Sequence, residues 1–147
     1  VPKATSQDIG AYYSLHIIKV MSVGDIERAK GRIDVASQAA EDAESVSVPN
    51  GGPRAFGIKI PDDSMAPLIS HGDIVIVDPD KPALPGKIVL VLMGSESDRV
   101  LIRRFRALTG NGDAELRPEN ADFPTERIGK KKPNRVIGRV VNVIKRV

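Results

Sequence analysis

The fold is decided by the central third of the chain, Phe56–Phe105, which reads FGIKIPDDSMAPLISHGDIVIVDPDKPALPGKIVLVLMGSESDRVLIRRF. Apolar and β-branched runs in this stretch alternate with turns rich in glycine and proline, and each run has the length of a β-strand. The same pattern continues on both sides. It predicts strands over 14–23, 55–60, 73–78, 87–93, 99–108, 113–118 and 135–146. Short strands at regular spacing are typical of a mostly β domain, built as a sandwich or a partly open barrel.

The composition is that of one globular domain. The chain has 147 residues, of which 41% are hydrophobic and 28% are charged, and this length supports a single core. It has no cysteine, which excludes disulfides, thiolate metal sites and cysteine nucleophiles. No apolar run is long enough to span a bilayer, and the N-terminus lacks the layout of a signal peptide. We therefore expect a cytoplasmic protein that does not contact a membrane.

The net charge is a mild +3, but the basic residues crowd towards the C-terminus. A direct nucleic-acid-binding module is therefore one alternative. A solvated edge is the favoured interpretation, because no aromatic residues interleave with the cations as they do in base-stacking surfaces. The sequence has no phosphate-binding glycine loop and no cluster with metal-ligand spacing, so we expect no metal and no cofactor. The basic residues in question are Lys130, Lys131, Lys132, Arg135, Arg139, Lys145 and Arg146.

Ser64 lies in the segment Asp63-Ser64-Met65, between two predicted strands. On its own, such a serine is most often a turn or helix-cap residue, and Ser64–Ser70 is compatible with one short helical turn. A serine hydroxyl becomes a nucleophile only when a base next to it accepts its proton. A buried lysine with a lowered pKa can act as that base.

Four motifs in order resemble the C-terminal domain of LexA and of phage CI-type repressors, the Ser/Lys self-cleaving peptidases. They are Asp63-Ser64-Met65, Val100–Phe105, Leu116–Asn120 and Val136–Val141. The resemblance implies a LexA-like fold, Ser64 at the nucleophile position and a general-base lysine at position 103. Here position 103 is an arginine. Because a guanidinium keeps its proton above about pH 12, Arg103 cannot be a general base at neutral pH, and we expect little or no self-cleavage.

Members of this family cut their own chain before a glycine, usually after a small residue. The corresponding place is Val23-Gly24. A β-branched valine is stiff and bulky beside a scissile carbonyl, so cleavage is disfavoured there too. The alternative is that Gly24 simply ends the first strand in a turn. Other bases for Ser64 are conceivable, namely Lys59, Lys87 and His71, although each is more readily interpreted as solvated.

The resemblance also implies an organisation and a set of partners. We expect a linker or tail over 1–13, a cleavage-site segment over 14–54 and a core over 55–147, with an N-terminal DNA-binding domain outside this fragment. The expected function is oligomerisation and regulation of a transcriptional repressor, with a second copy, operator DNA and a RecA-like inducer of the SOS response or an antirepressor as partners. The alternative is an active self-cleaving peptidase of the LexA/UmuD type. The expected oligomer interface is Val136, Val140, Val141, Val143 and Ile144.

Overall fold

The structure is a computed structural model, and it describes residues 15–29, 44–49, 52–94, 99–108, 110, 112–129 and 134–146. This part of the chain contains one helix, α1 (Val23–Ala29), and nine strands. The strands are β1 (Leu15–Met21), β2 (Ser45–Pro49), β3 (Phe56–Lys59), β4 (Ile74–Asp78), β5 (Ile88–Met93), β6 (Arg99–Ala107), β7 (Ala114–Arg117), β8 (Glu126–Ile128) and β9 (Asn134–Ile144).

The strands form a single open sheet in the order β2-β1-β3-β4-β9-β5-β6-β7-β8. Neighbouring strands are antiparallel, except that β1 and β3 are parallel at Val20 and Met21. The prediction of a mostly β domain is confirmed. The parallel pair adds a feature that the strand pattern does not indicate.

The central strands are buried on both faces. In β4, Ile74 and Ile76 pack into one hydrophobic cluster, whereas Val75 and Val77 pack into another on the opposite face. A strand covered on both sides reads as an unbroken apolar run, which is what the sequence shows here. The larger cluster also contains Phe56 from β3 together with Met65 and Ile69, which follow Ser64 in the chain, so it lies directly beneath the segment that carries Ser64.

β9 crosses from one neighbour to another. Its first half pairs with β5 as far as Arg139, and its second half pairs with β4 from Arg139 to Ile144. The crossing requires a close approach at Gly138, where an added Cβ would lie 2.8 Å from the Asp78 carbonyl oxygen. As a result, Val140–Ile144 pair with a described strand on one side only.

Helix α1 corrects the prediction that the first strand runs to 23 and ends in a turn at Gly24. The strand ends at Met21, and the helix starts at Val23. Ser22 and Asp25 cap it reciprocally, since each backbone N–H donates to the other side chain at 3.1 Å. This is a capping box with aspartate in the acidic position. Ile26 on the inward face is fully buried.

Two strands escaped the sequence analysis. The proline and glycine residues of 46–53 predict a turn there, whereas the structure has β2 over the first part of that stretch. Val46 and Val48 alternate with serines on a half-buried edge, and the neighbouring Pro/Gly cluster masked that alternation. β8 is only three residues long and has no apolar pattern. The segment after Ser64 forms consecutive turns, in which the Ile69 N–H donates to the Met65 carbonyl at 2.9 Å as in one helical turn.

Residues 1–13 and most of the acidic segment 37–45 lie outside the described residues. The expectation of a linker or tail over 1–13 therefore stays a prediction. The acidic, alanine-rich composition of 37–45 indicates either a short helix or a mobile loop, and that also stays a prediction. The described part of the chain contains no helix with the length and hydropathy of a membrane span.

Candidate functional site

The loop that carries Ser64 is fixed by its own aspartates and by a distant asparagine. The Ser64 N–H donates to Asp62 Oδ1 at 3.0 Å, and Asp63 Oδ1 accepts the His71 N–H at 2.9 Å. Asn120, which follows β7, donates its N–H to the Ser64 carbonyl and its Nδ2 to the Asp63 carbonyl, both at 3.0 Å. The motif Leu116–Asn120 therefore has a structural purpose, because it holds the serine loop against the sheet.

Arg103 reaches Ser64 from β6. Both side chains are buried, with 4% of Arg103 and 3% of Ser64 exposed. Arg103 Nη1 donates to Ser64 Oγ at 2.8 Å and to the Ile102 carbonyl at 2.9 Å. The same guanidinium has a buried Nε without a hydrogen-bond partner among the described atoms. The two residues that sequence motifs placed 39 positions apart thus form one buried pair.

Among the described residues, the cation of Arg103 has no close counter-ion. No carboxylate in the described ranges forms an ion pair with it. Burial lowers its pKa from the usual value, and the more distant Asp62 and Glu126 oppose that effect. An arginine in a protein nevertheless keeps its proton. The site therefore holds a permanent positive charge beside the serine hydroxyl.

This geometry determines which proton transfers are available. A general base needs a free lone pair within hydrogen-bond distance of the proton that it removes. The guanidinium has donors only, and the nitrogen nearest to Ser64 Oγ uses its N–H to donate to that oxygen. The pair can hold an oxygen atom in place and stabilise negative charge on it, but Arg103 cannot take up the serine proton.

A family model described as peptidase S24-like matches residues 20–141 of the chain. The chain belongs to the peptidase S24-like family. This family comprises LexA-, UmuD- and CI-type domains, and it covers both repressor C-terminal domains and self-cleaving peptidases. The resemblance seen in the motifs is confirmed at this level. No curated protein matches the chain.

The S24-like domain has a small pocket at the Ser64–Arg103 pair. Its volume is about 20 Å³, which is room for about one water molecule. Val23 from α1 lines this pocket together with Asp62, Ser64 and Arg103. The structure therefore brings the expected cleavage residue to the serine. The Val23–Gly24 peptide bond belongs to the first turn of α1, however, and not to an extended segment.

The alternative bases lie elsewhere in the S24-like domain. Lys59, His71 and Lys87 are exposed, and none of them lines the pocket of Ser64. Lys59 and His71 border a neighbouring cleft that also contains Val23 and Gly24. Among the described residues, Arg103 is the hydrogen-bonding partner of Ser64 Oγ.

The expected interface residues on β9 fall into two groups. Four of them are half-buried and pack against the three hydrophobic clusters, namely Val136, Val140, Val141 and Ile144. Val143 is different, because 39% of it is exposed. The four half-buried valine and isoleucine side chains thus serve the core of the monomer, and Val143 is the side chain available for a contact with another molecule.

Within the described ranges, no group of three or more His, Cys, Asp or Glu side chains is placed to hold a metal ion.

Proposed function

We propose that this S24-like domain is the oligomerisation and regulatory domain of a transcriptional repressor and that it does not cut its own chain. The observation that carries the proposal is the 2.8 Å hydrogen bond from Arg103 Nη1 to Ser64 Oγ. It gives the serine a charged donor where a self-cleaving relative needs an acceptor. A domain that keeps this fold with the Arg103–Ser64 pair therefore acts by binding other molecules and not by cutting its own chain.

The loss of the base is a large kinetic effect. A positioned general base contributes about 10²–10⁴-fold to a proton-transfer step. A serine hydroxyl without one is a poor nucleophile at neutral pH. The second barrier is at Val23-Gly24, where the bulky residue before the glycine lies in the capped helix α1. Cleavage there requires the helix to unwind first.

Support for oligomerisation comes from β9. Val140–Ile144 present a strand edge that no described strand covers, and exposed Val143 lies on it. An open edge of this kind is a site for pairing with another chain. In a repressor, such pairing sets the spacing of two DNA-reading domains on operator half-sites.

The absence of cleavage is tested with the purified chain and its Arg103→Lys and Ser64→Ala variants. Each is incubated at neutral and at alkaline pH, and the products are identified by intact mass. We expect the natural chain to stay whole and Arg103→Lys to gain a cut in alkaline solution. A cut in the natural chain that disappears in Ser64→Ala contradicts the proposal.

One observation favours a second candidate, an active self-cleaving peptidase. Val23 lines the same pocket as Ser64, so the chain already brings a potential scissile residue to the serine. This candidate predicts that the cut of the natural chain falls between Val23 and Gly24. The mass of the fragments decides between this candidate and non-specific proteolysis.

Oligomerisation is tested by sedimentation velocity. We expect the natural chain to self-associate and Val143→Asp to shift it towards monomer, because the substitution places a charge on the uncovered edge. Ile17→Asp is the matched control, since Ile17 is an apolar strand residue that is 80% exposed and lies on β1, away from β9. An equal shift in both variants, or a natural chain that is monomeric at high concentration, contradicts this part of the proposal.

A further inference from the structure

A groove lies on the surface where β9 separates from β5. Two adjoining cavities of about 440 Å³ and 300 Å³ share Lys87, Val140 and Val141 as lining residues. They form one continuous channel between the turn before β5 and the second half of β9. The residues that define this β9 groove are Leu68, Lys81, Lys87, Arg139, Val140 and Val143.

One wall of the groove is the uncovered backbone edge of β9. Because Val140–Ile144 pair only with β4 among the described strands, the backbone groups on their other edge face the groove. An extended segment can add to such an edge as a new strand. Its main chain supplies affinity, and its side chains, which alternate between the two faces, supply specificity.

The groove is apolar at one end. Leu68 is 46% exposed and Val143 is 39% exposed, and they are two of the four large hydrophobic side chains that the described surface exposes. Both side chains line the larger of the two cavities. An occupant with apolar side chains on one face therefore buries surface there that is now in water.

The other end of the groove is positively charged, and no described acidic side chain compensates that charge. Lys81, Lys87 and Arg139 line it, and no described carboxylate forms an ion pair with any of them. Arg104 also borders the groove, but Glu119 pairs with it at 2.6 Å. No Asp or Glu from the described ranges lines either cavity. The groove therefore attracts negative charge.

We propose that the β9 groove binds an extended acidic segment of a partner protein. The segment pairs with the backbone of Val140–Ile144, and its acidic side chains lie against Lys81, Lys87 and Arg139. Its apolar side chains cover Leu68 and Val143. The inference goes beyond the proposed repressor role and does not depend on the state of the Ser64 site.

Charge favours this occupant over a second copy of the chain, although both can use the same edge of β9. A symmetric dimer contact uses the same patch on both copies, so it brings two positively charged grooves close to each other. Like charges that are brought close together repel each other. An acidic strand uses the same edge and gains attraction instead of repulsion. A nucleic acid fits less well, because the described groove has no aromatic side chain for base stacking.

A regulatory consequence follows, and it rests on the proposed self-association through β9. The acidic segment and a second copy compete for one edge, so binding of the segment releases monomers without cutting the chain. The two events respond to salt in opposite directions. Added salt weakens binding of the acidic segment and favours self-association of the cationic patches.

The binding test uses a fluorescently labelled peptide of five Val-Glu repeats, whose fluorescence anisotropy is followed as the intact chain is added. A second peptide of equal charge has two of its valines replaced by proline, which removes backbone donors that a strand requires. A third consists of five Val-Lys repeats. We expect only the first peptide to bind, with an affinity that falls as salt is added. Equal binding of the proline peptide, or tighter binding of a short DNA duplex, overturns the proposal.

The site is located with the double variant Lys87→Glu/Arg139→Glu and the matched control Lys59→Glu, an exposed cation on β3. Thermal melts establish that each variant is folded. We expect the double variant to bind the Val-Glu peptide at least about tenfold more weakly, since two attractions become repulsions, and Lys59→Glu to bind it unchanged. An equal loss in both variants shows attraction by net charge alone and overturns the proposal.

Sedimentation velocity with and without the Val-Glu peptide separates this proposal from the proposed function. A chain that binds the peptide but never self-associates leaves the groove assignment standing and removes the oligomerisation role. A chain that self-associates through Val143 but does not bind the peptide removes the groove assignment and leaves the oligomerisation role standing. Conversion of dimers to peptide-bound monomers supports both.

Discussion

The buried guanidinium of Arg103 beside the buried hydroxyl of Ser64 is energetically unfavourable for the folded chain. Arg103 has no counter-ion within ion-pair distance among the described residues, and its Nε is buried without a partner. Moving a charge out of water costs several kcal/mol even after relaxation. Two hydrogen bonds from Nη1 offset only part of that cost. The pair therefore stabilises the fold little, and its effect is on the chemistry of Ser64.

This balance gives a prediction for Arg103→Met. Methionine fills a similar volume without charge, so we expect the free energy of unfolding to rise by about 1 kcal/mol or more. Denaturant titration measures it. Arg104→Met is the control on the same strand, where the half-exposed side chain pairs with Glu119 and its loss lowers stability slightly. A fall of more than about 1 kcal/mol in Arg103→Met contradicts the uncompensated-charge argument.

At the scale of elements, helix α1 and strand β9 place the site and the groove. α1 exists because Ser22 and Asp25 cap it and Ile26 fixes its inward face, and it brings Val23 to the pocket of Ser64. β9 exposes an edge because it leaves β5 after Arg139. Gly138 makes that departure possible, since β9 and the end of β4 come too close for a side chain there.

Two glycine substitutions are predicted to act in opposite directions. In Gly138→Ala the new Cβ meets the Asp78 carbonyl and Val77 Cγ1 at 2.8 Å, and we expect a loss of about 1–3 kcal/mol in the free energy of unfolding. In Gly24→Ala the nearest atom is Arg28 Nη1 at 3.4 Å, and alanine is the better helix former by up to about 1 kcal/mol. Thermal or denaturant unfolding measures both. Equal effects would show that the crossing at Gly138 is not tight.

Particular elements show what the sequence could predict. Strands β4 and β5 follow from their unbroken apolar runs, and the pairing of Ser64 with position 103 follows from the order of the family motifs. Helix α1 was missed because Val23 and Ile26 are β-branched and extend an apolar strand pattern, whereas the cap that starts the helix is a local hydrogen-bond effect. The β9 groove was also missed. It depends on where β9 changes neighbours, and strand patterns carry no information on pairing partners.

At the scale of the whole molecule, Asp73 joins distant parts of the chain. It is 3% exposed and accepts hydrogen bonds from Lys145 Nζ at 2.7 Å, the Ser70 N–H at 2.9 Å and the Arg146 N–H at 3.2 Å. The residue therefore fastens the end of β9 and the loop after Ser64 to the start of β4. Burial raises the pKa of this carboxyl, but the hydrogen bonds from Lys145, Ser70 and Arg146 outweigh it, so the pKa lies below the usual value.

This direction predicts how stability depends on pH. Because the pKa of Asp73 is lower in the folded chain, the ionised carboxylate stabilises the fold above the unfolded pKa of about 4, and the effect is lost as the pH falls through the folded pKa. We expect Asp73→Asn to lower the free energy of unfolding by on the order of 1–2 kcal/mol at neutral pH. This gap between the variant and the unsubstituted chain should close as the solution becomes acidic. Asp80→Asn is the control, because Asp80 pairs with Arg54 on the exposed surface. Urea titrations across the acidic range measure both variants, and a gap for Asp73→Asn that stays constant with pH would show that shape, not charge, holds β9 to β4.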